Sequence, residues 1–311
     1  MAFVQGKGSR EYLIHERKKV WYSRRLGLAF ISPWLVGFLI FTLYPMVSSL
    51  YYSLNKYNII KPPQWVGLRN YIELLTDDPL MWVAVYNTVY YIVFALPLQI
   101  IVALTLAILL NSKVKGLAVY RTIFYMPTIV PAVASSILWL WLLDPHIGII
   151  NTLLAAIGID GPGWLVNPVW SKPALILMSV WGVGGDMVIY LAALQGVPQE
   201  LYESAELDGA KRWRKVWHIT IPMISPAIFF CLIMGLIAAF QYFTQAYVMT
   251  EGGPMDSTLF YSLSLYNNAF KYYKMGYASA QAWVLFVIIF CATLISYKIS
   301  GKWVHYEGGE K

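Results

Sequence analysis

The chain has 311 residues, of which 59% are hydrophobic and only 13% charged, against roughly 25% charged in an average soluble domain. With a mean hydropathy of +0.57, that composition excludes an ordinary soluble domain and points to a membrane protein. The net charge of +7 requires no nucleic acid, because a multi-span protein already gathers Lys and Arg in its cytoplasmic loops.

A hydrocarbon core about 30 Å thick takes about 20 apolar residues of helix to cross. Six windows of that size occur, and the predicted spans are 27–50, 84–109, 123–143, 174–194, 224–249 and 278–298. Backbone polar groups in lipid must pair internally, and none of these windows alternates with a period of two. The expected fold is therefore all-α with six transmembrane helices, and not a β-barrel.

In chain order, "ERKKVWYSRRLG" (16–27) closes a basic tail, 1–26. Beside a spanning helix such a run is a topology anchor. The first window exceeds the 7–15 residues of a signal-peptide core and no small-residue cleavage site follows, so it is expected to stay as a span. The loop 51–83 is rich in Tyr, Trp, Gly and Pro, and "GLRNYIELL" within it predicts a short surface helix. The core, 84–298, holds the other five spans and a long polar loop at 195–222. Seventeen of the 23 Lys and Arg lie before the first span, between the second and third, in 195–222, or after the last. That bias makes both termini, the loop 195–222 and the tail 299–311 cytoplasmic, and the loops 51–83, 144–173 and 250–277 external. Pro97, Pro127 and Pro131 fall within spans or at their mouths, where they are expected to kink a helix. Cys231 and Cys291 sit in spans as small hydrophobes and give no redox clue.

The polar loop reads "ELYESAELDGAKRWRKVWHITIP", from Glu200 to Pro222. Pro198 suits the first turn of a helix, and Glu200 and Glu203 then lie where the helix dipole favours negative charge. Leu201 and Ala205 share a face. Gly209 is placed to take the left-handed conformation that ends a helix, after which Ala210 begins a second segment with Trp213, Val216 and Trp217 on one side and basic residues around them. Pro222 is expected to stop that segment. The loop should be a helix, a sharp turn and a second helix lying under the membrane; a merely solvated surface loop is the alternative.

Spacing favours the former. Glu203-Ser204-Ala205, three residues, Gly209, nine residues, then Ile219-Thr-Ile-Pro222 resembles the EAA motif, E-A-A-x3-G-x9-I-x-L-P, of permease subunits of binding-protein-dependent ABC importers. Ser204 and Ile221 depart from it by residues of similar size. The resemblance implies that this loop docks on an ATPase subunit, with Glu203, Ser204, Ala205, Asp208, Gly209, Ile219 and Pro222 as the coupling residues. "WVGLRNYIELL", "NTVYY", "YMPTIVPAV" and "TEGGPMDSTLFYSLSLYNNAF" are similar to carbohydrate importer permeases, the last to the MalF-like member of the pair. That implies a type I importer fold and a sugar or sugar-derived solute. The implied partners are a second, MalG-like permease, two ATP-binding cassette subunits and an extracytoplasmic sugar-binding protein. It also implies a bacterial or archaeal cell membrane, and no cofactor in this chain, ATP and Mg being held by the ATPase partners.

Polar groups inside spans are the cues to a solute path. Asp186 is an acid within the fourth span, and a charge at mid-membrane costs about 2.5–3.5 kcal/mol on insertion scales, so it should face a wet cavity or a partner group. In "AAFQYFTQAY", Gln241 and Gln245 lie four apart on one face of the fifth span, with Tyr242 between them. Amides and aromatic rings are the groups that bind sugars; glutamines gluing one helix to another are the alternative.

The chain lacks G-x-x-x-x-G-K-[ST] and so has no P-loop, and its four scattered histidines fit no metal spacing. "GVGGD" (182–186) departs from the G-x-G-D of intramembrane aspartyl proteases, and no second intramembrane Asp completes a dyad. An enzyme is not expected. A stand-alone secondary transporter or channel for a small polar solute is the rival, although matched broken helices in two halves are not evident in the sequence.

Overall fold

A computed structural model describes residues 26–112 and 115–305. Residues 1–25 of the basic tail predicted for 1–26, residues 113–114, and the end of the chain from 306 onward lie outside the described residues.

Helix α1 (Leu26–Ser53) covers the first predicted span. A short antiparallel ribbon follows, β1 (Asn55–Lys56) and β2 (Gln64–Trp65), with Asn55 opposite Trp65. The helix predicted in "GLRNYIELL" is α2 (Arg69–Ile72), which widens into a π-turn at Glu73–Asp77. Asp78 then caps α3 (Pro79–Leu110): its side chain accepts from the amides of Leu80 and Met81, while Pro79 stands where no amide is needed. α3 runs past Pro97 without a break.

The third predicted span is not one helix. α4 (Leu117–Tyr125) tightens into a 3-10 turn at Met126–Ile129 and then bends by 102° into α5 (Ala132–Leu142). Pro131 disfavours helical backbone at the residue before it, and Val130 is extended, with ψ 127°. The sequence places the proline correctly; the consequence is a corner rather than a kink.

The external loop expected at 144–173 carries its own helix, α6 (Ile149–Ala156), and ends early. Asn167 accepts from the Val169 amide and starts α7 (Pro168–Trp181) six residues before the predicted span. α7 meets α8 (Gly184–Gln195) at an angle of 46° across Gly182 and Val183. Then come α9 (Gln199–Leu207) and α10 (Arg212–Lys215), which continues through a π-turn, Val216–Thr220, into Ile221–Met223.

The fifth predicted span is also divided, into α11 (Ser225–Phe240) and α12 (Thr244–Met249). α13 (Tyr261–Tyr266) lies in the last loop, and α14 (Met275–Ser300) covers the sixth span. Among the described residues, four stretches are long and apolar enough to cross a membrane; the number rises to six when each of the two sharply bent pairs is taken as one span.

α3 is the central post. Ala84, Ala95, Ala103 and Ala107 along it are fully buried, and small residues let neighbouring helices approach closely. Its N-terminal half packs with Trp139, Leu175 and Phe260, its C-terminal half with Met187, Tyr190 and Ile228, and its third face with Leu236, Tyr261 and Leu285. Towards its N-terminal end Asn87 Nδ2 donates to the carbonyls of Asp256 and Leu259, and Thr88 Oγ1 accepts from the Tyr261 amide. These bonds tie the loop before α13 to the post. α1 stands at the periphery against α14, where Trp283 Nε1 donates to Ser49 Oγ over 3.2 Å.

Candidate functional site

Three helix breaks meet around one cavity of about 430 Å³. Its walls come from the corner at Pro127–Ala132, from the α7/α8 junction at Trp181–Asp186, and from Gln241–Gln245 between α11 and α12. Irregular backbone at membrane depth is tolerated where it is buried in protein or lines a wet cavity, and that accounts for where the breaks fall.

Gly184 fixes this junction. A Cβ there would run into the carbonyl oxygen of Phe124, with the Tyr125 Cα only 2.8 Å away, so the start of α8 rests directly on the end of α4. Asp186 lies in the first turn of α8, where the amides and the positive end of the helix dipole favour a carboxylate. It is half-buried and reaches the cavity.

All four residues picked from the sequence, Asp186, Gln241, Tyr242 and Gln245, line this cavity. The route by which two of them get there differs from expectation. α11 ends at Phe240, and Phe243 (φ −136°, ψ −61°) is not helical, so Gln241 and Gln245 do not share one helical face. They converge because the chain unwinds between them. The Tyr242 ring stacks on Tyr91 with centroids 4.2 Å apart, and both rings meet Phe260 edge-on. The sequence missed Gln99, Thr128, Ser135 and Ser179, which also face the cavity. Gln99 carried a signal, an amide in the middle of an apolar window; lone hydroxyls did not, because they can bond to their own helix. The arrangement offers amides, hydroxyls, one carboxylate and aromatic faces to a polar solute.

The second candidate region is the polar loop. Gly209 has φ +71°, the left-handed region that favours glycine. The Ala210 amide bonds to the Ala205 carbonyl and the Gly209 amide to that of Glu206, at 2.9 and 3.0 Å, the paired bonds of a Schellman cap. The second segment starts at Arg212, two residues later than expected. Lys215 pairs with Glu206 across the turn, and Tyr202 shares a hydrogen bond of 3.0 Å with Thr220. The two helices are thereby held as one hairpin. Glu203, Ser204, Asp208 and Gly209 are exposed; Ala205, Ile219 and Pro222 are half-buried.

Pro222 does not stop the second segment. The π-turn before it bonds the Ile221 amide to the Val216 carbonyl; this wider turn takes up the register shift, and helical backbone continues to Met223. The break comes at Ile224. The sequence also missed Leu207, whose side chain is 91% exposed at the end of α9.

Residues 84–305 match the family described as "Binding-protein-dependent transport system inner membrane component". The chain is 45% identical over 289 residues to the probable ABC transporter permease protein YesP of Bacillus subtilis (strain 168), covering 92% of this chain and 93% of that one. It is 37% identical to the lactose transport system permease protein LacF of Rhizobium radiobacter, over 87% of this chain and 91% of that one. Among solved structures, a chain of the bacterial alginate ABC transporter in complex with alginate pentasaccharide-bound periplasmic protein superposes with a TM-score of 0.77 at 26% identity, over 92% of this chain and 96% of that one. The chain belongs to the family of inner membrane components of binding-protein-dependent transport systems, as an ABC importer permease whose ATPase is a separate subunit.

Proposed function

We propose that this permease carries a sugar or sugar-derived solute as the MalF-like half of a heterodimeric path. The observation that carries the reading is the cavity at the three helix breaks. It presents Asp186, Gln99, Gln241 and Gln245 together with the rings of Tyr242, Trp181 and Phe243, and amides beside aromatic faces suit a polyhydroxylated ring. The names of relatives agree: one is a lactose permease and another structure holds a pentasaccharide-loaded binding protein.

On this reading each bent pair counts as one span, giving six, with both termini and the loop 195–222 in the cytoplasm of a bacterium or archaeon. Residues 27–50 are the first span, 51–83 an external loop, and 84–298 the permease core. A second, MalG-like permease completes the path. Two ATP-binding cassette subunits, which hold ATP and Mg, dock on α9, and an extracytoplasmic sugar-binding protein delivers the solute. The exposed Glu203, Ser204, Asp208 and Leu207 offer that docking face a carboxylate and an apolar knob on a rigid hairpin.

The test is ATPase activity of the reconstituted complex, with and without solute-loaded binding protein. Glu203→Ala combined with Leu207→Ala is expected to cut the stimulation by roughly tenfold or more, as truncating an interface anchor does, while the complex still binds ATP. Full stimulation in that double variant would remove the loop from the coupling path.

A further inference from the structure

A second cavity, also about 430 Å³, lies between the ribbon, α2 and the start of α14. Lys56, Arg69 and Lys274 line it, with Glu73 as the one carboxylate and Tyr57 and Tyr277 among its walls. The topology proposed above leaves only six Lys and Arg on the external side. Three of them converge here from segments more than 200 residues apart, although external loops are poor in such residues. None of the three is in an ion pair; among the described residues the one ion pair is Lys215–Glu206. Exposed cations without a carboxylate partner, gathered around one concave site, are free to hold an anion.

The site is built before any ligand arrives. Buried Asn70 donates to the carbonyls of Ser53 and Asn55 at 2.8 and 2.9 Å, and the Val66 amide bonds to Leu54. The Gly276 amide reaches the Tyr57 carbonyl at 3.0 Å, and a Cβ on Gly276 would collide with the Asn55 carbonyl oxygen. Tyr273 is held at φ +55°, an uncommon conformation for a non-glycine residue. The surroundings identify the kind of anion. Tyr272 and Tyr273, each 56% exposed, line the cavity beside Tyr57, and α1, whose last turns expose Val47 and Leu50, ends just before Lys56. Tyr and Trp belong at a membrane interface, and an acyl chain has a surface to follow there.

We infer that this cavity is a site for the phosphate of an anionic phospholipid head group, held by Lys56, Arg69 and Lys274. Glu73 accepts from head-group hydroxyls, which fits phosphatidylglycerol. The inference rests on the external placement of this end of the molecule.

The experiment is native mass spectrometry of the complete delipidated transporter titrated with phosphatidylglycerol, phosphatidylethanolamine or phosphatidylcholine. Phosphatidylglycerol should be retained over the other two. The triple variant Lys56→Gln, Arg69→Gln, Lys274→Gln should hold it roughly tenfold more weakly or worse, whereas Lys56→Arg with Lys274→Arg should hold it as before. Should the triple variant fail to assemble, Lys274→Gln alone carries the test, with a loss of roughly fivefold. Equal retention of all three lipids, or no loss in the Gln variants, overturns the proposal. So does displacement of the lipid by an equal concentration of glycerol phosphate, which assigns the site to a free anion. A loss of binding-protein affinity with lipid retention unchanged assigns it to protein docking instead. Separately, Lys61→Cys should react with a membrane-impermeant maleimide from outside; reaction from inside alone would sink the topology while the lipid measurement still reports on the cavity.

Discussion

The uninterrupted helices α1, α3 and α14 and the interrupted pairs α4/α5, α7/α8 and α11/α12 solve the same problem in opposite ways. A continuous helix satisfies its own backbone, so it can face lipid along its length, and α1 exposes large apolar side chains such as Phe30 at 84% and Phe41 at 80%. An interrupted helix leaves amides and carbonyls without partners, and all three interruptions border the central cavity. On the proposed reading, continuity marks the lipid side and discontinuity the solute side. The difference can be attacked with single substitutions.

The largest effect is expected at Gly184, where the junction has no room. Gly184→Val should drive the Cβ into the backbone of Phe124 and Tyr125 and cost about 3 kcal/mol or more, with transport lost. Gly185 next to it has open space around its Cα, so Gly185→Ala should be neutral or slightly stabilising. Thermal unfolding of the two purified complexes separates them; similar melting temperatures would mean that the α4/α8 contact is not what sets the corner.

A smaller loss is expected at Thr88, on the uninterrupted helix. Thr88→Val keeps the shape but leaves the buried Tyr261 amide without its acceptor, for about 1–3 kcal/mol. Thr105→Val in the same helix removes an exposed hydroxyl bonded only to the Ile101 carbonyl and should stay within about 0.5 kcal/mol. If both variants melt alike, the bonds from α3 to the loop before α13 do not stabilise the N-terminal half of α3.

The same contrast explains what could be read from the sequence. α1, α3 and α14 follow from composition, because an apolar run long enough to cross a bilayer fixes its own ends within a few residues. The corner at Pro131 was announced by a proline, although its 102° was not. The α7/α8 bend depends on Gly184 meeting Phe124, a contact between positions sixty apart that no local pattern contains. The break at Gln241–Phe243 has neither proline nor glycine, so propensity was silent there. The cavity residues were legible by another route: a carboxylate or an amide in an apolar window must find water or a partner, whatever the helix does. Gly209 was legible because few residues tolerate its conformation. Leu207 was not, since exposure of a leucine on a polar helix is a property of the fold.

Gly209 provides the next step down. With nothing within 4 Å of a Cβ built there, Gly209→Ala meets only the backbone penalty of φ +71°, about 1–2 kcal/mol. The Ala210 amide, which closes the cap on Ala205, should then exchange with solvent roughly tenfold faster. Gly209→Asn should do less, because asparagine tolerates this conformation. Unchanged exchange in both would mean that the hairpin is held by Lys215–Glu206 and Tyr202–Thr220 alone.

The smallest effect belongs to Asp144, in the loop that leaves α5. Its Oδ1 accepts from the amides of Ile147 and His146 at 3.0 and 2.8 Å, and those two backbone bonds, Ile147 first, hold its carboxyl below the usual carboxylate range. A group whose folded-state pKa is depressed contributes stability above its unfolded value, about 3.9, and loses it as pH falls through the folded one. Asp144→Asn retains an acceptor oxygen but has no proton to gain. The parent should therefore lose more of its melting temperature than the variant between about pH 6 and pH 3, the difference being slight because the residue is only partly buried. Parallel pH profiles would show that these amides do no more for the carboxylate than water does.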